Sequence, residues 1–149
     1  MEPFVESAVA TLEQVRADLK AGLEGQSADA LNWQPLPGAN PIAGMVAHLL
    51  ESSNYLVQYG LGKTIPRERE AQFVVTVDDA AGLLRRIDEG FEPILTNAHC
   101  YTEIDLQQLR EFRGERHNGA WFLLRACIHT MEHWGQIQLT RDLYAARQG

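Results

Sequence analysis

Apolar residues recur every three or four positions in four separate stretches of this chain, the spacing of one face of an α-helix. In the first stretch Val5, Ala8, Leu12, Val15, Leu19 and Leu23 make a single stripe. Pro3 suits a first turn and Gly25 a stop, so the pattern predicts a helix over 3–24. Ser27 can cap one further turn before the prolines and Gly38 of "QPLPGANP" force a loop. Asn40 and Pro41 read as a cap and first-turn proline for a second helix. That helix runs to about Gly60, with Ile42, Val46, Leu49, Leu50 and Val57 on its core face.

Residues 61–77 read as a loop with one short extended piece, "FVVTV". Asp78 is the expected cap of a third helix, whose stripe is Ala80, Leu83, Leu84, Ile87, Phe91 and Leu95. Pro93 is expected to kink or shorten it. Residues 99–117 form a polar connector with one helical turn at "DLQQLREF". The fourth helix begins near Asn118 and reaches about Arg147. Trp121, Leu124, Ile128, Met131, Trp134, Ile137 and Leu143 make it apolar on more than one side, as in a central or interface helix.

Four amphipathic helices, with no repeat and no dividing linker, predict an all-α fold: one four-helix bundle domain over 1–149. The connectors are long enough for crossovers. A hydrophobic fraction of 45% supplies a core. The net charge of −7 argues against nucleic acid as a partner, which needs a basic face. Arg110, Arg113 and Arg116 are interrupted by Glu111 and Glu115 and read as a solvated segment. No apolar run has membrane-spanning length, and the acidic N-terminal stretch does not read as a signal peptide. Two cysteines, Cys100 and Cys127, suit reduced thiols in a cytoplasmic protein.

The fourth helix carries the chemistry. At 100° per residue, His129, Glu132, His133, Gln136 and Thr140 fall in one sector, with Arg125 and Phe122 on the preceding turns. Unpaired buried polar groups cost about 1–3 kcal/mol each, so a polar stripe on an apolar helix needs a reason. Histidines at i and i+4 can turn two nitrogens toward one cation. A third ligand must come from elsewhere. His48 lies inside the firm second helix, whereas His99 and His117 sit at a helix end and in a connector, so His48 is the candidate.

The plain alternative is a chance pair of core histidines. "HTMEH" also matches an inverted zincin motif with Glu132 as base. That reading lacks a carboxylate ligand on another helix: beyond His133 the only acid is Asp142, on the same helix. No G-x-S-x-G and no phosphate loop occur, and Cys127 points away from His129.

The stretches "ALNWQPLPGANPIAGMVAHLLES" and "WFLLRACIHTMEHWGQIQLTRDL" together resemble the DinB-like (DinB/YfiT) superfamily. Its pattern puts one histidine on the second helix and H-x-x-x-H, G-Q and an arginine on the last. Here these fall on His48, on His129 and His133, on residues 135–137 and on Arg141. The resemblance implies a DinB/YfiT-like bundle with a long crossover, a divalent metal (Zn, Ni or Fe) on three histidines, and frequently a homodimer. It implies a metal-dependent enzyme using a low-molecular-weight thiol on a small-molecule substrate: an S-transferase, or a related hydrolase or isomerase. Histidine at both last-helix positions favours the transferase-like or uncharacterised branches over the isomerases. Glu132 is the candidate catalytic group, and Ser52 and Tyr55, with Tyr59 nearby, are candidates for the substrate mouth. Simple packing is the plainer role for both tyrosines. A second reading is a non-catalytic metal-binding bundle acting as a sensor or in stress response.

Overall fold

The computed structural model describes residues 1–67 and 75–148. The long helices are α1 (Pro3–Leu23), α3 (Ile42–Gly60), α4 (Ala80–Ala98) and α6 (Gly119–Gln148). Between them lie α2 (Ala28–Asn32), α5 (Glu103–Gln107) and a hairpin of β1 (Leu109–Phe112) and β2 (Glu115–Asn118). α1 and α3 each pack against α4 and α6 and stand diagonally to one another. Of the long helices consecutive in sequence, α3 and α4 are neighbours, while the steps from α1 to α3 and from α4 to α6 cross the bundle diagonal, as long connectors permit.

The core is built from the predicted stripes. Every stripe residue of α1 is buried, as are Ile42, Val46, Leu49 and Val57 of α3 and Leu83, Ile87 and Phe91 of α4. On α6 the stripe divides. Phe122, Leu123, Trp134 and Ile137 are buried, while Leu124, Ile128, Met131, Leu139 and Leu143 face outward.

α1 starts at Pro3 as expected, while α3 and α4 each start one residue later than expected. Pro41 adopts an extended conformation and lies outside α3, its carbonyl accepting from Met45 N at 2.9 Å, so Asn40 caps nothing. Asp79, not Asp78, caps α4: its Oδ1 accepts from Gly82 N at 2.7 Å. Pro93 does not end that helix, which continues to Ala98. Both Pro93 and Glu89, whose carbonyl loses its helical donor, are exposed, so water can satisfy it. Phe73 and Val74 of "FVVTV" lie outside the described residues. Val77 is tied to Asn32 instead of a strand: the Asn32 amide donates to its carbonyl at 2.7 Å and accepts from its N–H at 2.9 Å.

The connector after α4 holds more than the single turn expected. Thr102 and Asp105 form a reciprocal capping box that starts α5. The hairpin follows, with Phe112 opposite Glu115 and Arg113–Gly114 as a two-residue turn. Arg110 is not simply solvated: its Nε donates to Gly60 O at 2.9 Å, closing the end of α3. Tyr59 hydrogen-bonds the Glu111 carbonyl, and its ring packs on Phe112 and Phe122. These contacts fasten the hairpin over the junction of α3 and α6.

Candidate metal centre

α3 and α6 share the most extensive helix contact, and two residues of the polar stripe, His129 and His133, meet α3 across it. His129 and His133, one turn apart, present their rings to His48. Ring centroids are 4.5 Å apart within the pair, and 5.1 and 4.8 Å from His48 to His129 and His133. One nitrogen from each of the three lies within 4.8 Å of the others, and no carboxylate or thiol among the described residues joins the group.

The electrostatics keep these nitrogens available. Burial, then the neighbouring His133 and His48 rings, then Arg125 and Arg67 push the His129 pKa down to about 3. Burial and His48 also lower His133, against the opposing pull of Gln136 and Glu132. His129 is therefore neutral at neutral pH, with a lone pair to offer. Its Nε2 is buried and has no hydrogen-bond partner among the described residues. Such an orphan carries a cost that a bound ligand removes.

The other two rings are held through Nδ1. His133 Nδ1 is 3.0 Å from Gln136 Oε1, and His48 Nδ1 is 3.4 Å from Ser52 Oγ. Partners on the far nitrogen fix tautomer and orientation, as in metal-ligating histidines. Three close imidazoles, an orphaned buried nitrogen and outer hydrogen bonds fit a divalent cation.

Beside the triad opens a pocket of about 120 Å³, lined in part by His48, Ser52, Leu56, Phe112 and His129. Ser52 thus lies at the pocket, and Arg67 Nη2 donates to its Oγ at 2.9 Å. Tyr55 lies one turn on, beneath the Arg67 guanidinium at 4.6 Å, and supports that arginine. Tyr59 is a packing residue of the hairpin. Glu132 does not line this pocket. It is exposed, pairs with Arg125 at 3.8 Å, and borders a separate groove with Phe4, Leu124 and Met131. His117 is stacked on Trp121 at 3.7 Å, and His99 closes the exposed end of α4.

Sequence reasoning placed Arg125 beside the histidines but missed Arg67 and Arg113, which also line the pocket. Arg67 carries no local signal, because its place is set by Glu51 and Ser52 of α3.

Fold and site together define a crossover helical bundle with a three-histidine centre. The chain belongs to the DinB superfamily, whose family model matches residues 11–137. The chain is also similar to a DinB-like protein of Bacillus cereus ATCC 10987 of known crystal structure. The TM-score is 0.73 at 16% identity, over 97% of this chain and 93% of that one. At that identity the likeness establishes the fold. No curated protein sequence matches the chain. No helix among the described residues is long and apolar enough to cross a membrane.

Proposed function

We propose that this protein is a metal-dependent enzyme that transfers a low-molecular-weight thiol to a small electrophile, or runs a related hydrolysis or isomerisation. The reading rests on three close imidazoles beside a pocket, one of which, His129, has a buried Nε2 with no hydrogen-bond partner among the described residues. A divalent cation of the Zn, Ni or Fe kind, held by His48, His129 and His133, would supply a Lewis acid with open positions that lowers the pKa of a thiol or water. Gln136 and Ser52 orient the histidines, and Leu56 and Phe112 form the apolar side of the pocket. Turnover of an electrophile should require both thiol and metal, and vanish on chelation. Thiol-dependent turnover that persists in fully metal-stripped protein would contradict the reading.

Glu132 is proposed as an acid–base group on the grounds of its helical sector alone. Metal-saturated Glu132→Gln should then keep its metal and lose roughly 10- to 10⁴-fold in rate. Unchanged turnover would leave Glu132 as the charge partner of Arg125. Its exposed position away from the pocket is what favours the second reading, a metal-binding sensor or stress-response bundle without catalysis.

We also propose a twofold homodimer. Leu124, Ile128 and Met131 of α6 and Phe4 of α1 are 38–49% exposed around an apolar groove of about 360 Å³. Contiguous apolar surface of this kind marks interfaces. Ile128→Glu with Met131→Glu should convert a dimer into a monomer in sedimentation. A wild-type monomer mass at all concentrations would rule the dimer out.

A further inference from the structure

Three cationic side chains line the triad pocket beside the histidines. Arg67 comes from the loop after α3, Arg113 from the hairpin tip and Arg125 from α6, and all three line one small cavity. No acid lines it among the described residues. Arg67 is already held: its Nε lies 3.3 Å from Glu51 Oε2, its Nη2 donates to Ser52, and its plane rests on Tyr55. Among the described residues Arg125 has only the loose 3.8 Å pair with Glu132. The Arg113 guanidinium lies over the Phe112 ring at 5.0 Å, with no carboxylate partner among the described residues.

The backbone under Arg113 is a second, independent observation. Its φ is 52° and that of Gly114 is 84°, so both turn residues are left-handed, as in a type I′ turn. That turn favours Asn or Asp before the glycine, and a long side chain at positive φ is uncommon. Such an outlier beside a binding cavity points to function. Folding alone would be better served by asparagine there.

We infer that Arg67, Arg113 and Arg125 form an anion subsite that holds a carboxylate of the substrate next to the histidine centre. Guanidinium forks match a carboxylate two donors at a time. A cavity of about 120 Å³ suits a carboxylate and a few carbon atoms. The inference rests on the pocket being the substrate site proposed above, but its test is separate from that of the metal.

The probe is succinate, titrated calorimetrically into metal-free protein at low salt. Wild type should bind it, and Arg113→Asn and Arg125→Gln should each weaken binding about 10-fold. Arg113→Asn should melt at or above the wild-type temperature, since asparagine suits the turn, so its weaker binding cannot come from unfolding. Absence of binding in wild type overturns the subsite. So does binding indifferent to both variants, or displacement of succinate by inorganic phosphate at lower concentration. Metal content of the same samples reports the triad on its own. A metal-binding protein that ignores succinate refutes the subsite alone; a succinate-binding protein without metal refutes the proposed function alone. On metal-loaded protein, 3-mercaptopropionate binding about 10-fold tighter than 2-mercaptoethanol assigns the carboxylate to the thiol. Equal binding of the two, with succinate still bound, supports the subsite and assigns it to the acceptor.

Discussion

Replacing His48, His129 or His133 by alanine should each lower metal affinity by more than the roughly 100-fold that loss of an outer partner can cost. His99→Ala and His117→Ala should leave it unchanged. The difference follows from placement. The triad nitrogens lie within 4.8 Å of one another, while His117 is committed to its stack on Trp121 and His99 lies exposed at the end of α4. Two imidazoles on one helix turn bind a cation weakly by themselves, because a structural or catalytic site needs at least three protein ligands. His48 is thus the sharpest test. Elemental analysis after dialysis of untagged protein gives the answer, and a full equivalent of metal in His48→Ala would remove α3 from the centre.

Phe122→Ala should cost about 3–5 kcal/mol, among the largest losses a single buried truncation gives. The ring is fully buried, with neighbouring ring centroids at 5.3 Å for Tyr59, 5.5 Å for Phe112 and 5.0 Å for Trp121. Its Cβ also lies where a side chain on Gly60 would intrude, at 2.7 Å, so the void cannot collapse freely onto α3. Against a total stability of roughly 5–15 kcal/mol this is a large fraction. Ile104→Ala, at a site 78% exposed, should change stability by no more than about 0.5 kcal/mol. Urea unfolding of the two variants gives the comparison. A Phe122→Ala loss below about 1 kcal/mol would mean that the aromatic cluster does not fasten the hairpin to the bundle.

The helices were legible because burial imposes a 3.6-residue period, and Val5, Leu12, Leu19, Ile87 and Phe91 obey it. Their starts were legible only to within a residue. Asp78 and Asp79 are equally good caps by type, and which one turns its oxygen to Gly82 N depends on the incoming chain. The hairpin was hidden because Leu109–Asn118 has no β-branched residue and turns on Arg-Gly instead of Asn-Gly. In the site, the α6 pair declared itself by spacing, and His48 by standing inside a firm helix. For Glu132 the helical sector gave only a direction. Glu132 lies about 60° from His129 and 100° from His133, enough to turn its carboxylate toward Arg125 and the outer groove. Arg67 and Arg113 could not be read at all, since only the folded chain carries the loop and hairpin tip over α3.

The triad spans α3 and α6, two helices remote in sequence whose seam is the widest in the bundle. A cation held across that seam would be a clamp as well as a cofactor. At a free concentration a hundred times its dissociation constant it would add about 2.7 kcal/mol to the folded state. The linkage also runs in reverse. Any change that lets the seam open, Phe122→Ala included, weakens apparent metal affinity in proportion to the fraction of open molecules, although no ligand has been touched. Metal retention would then be a gauge of how tightly α3 and α6 stay together.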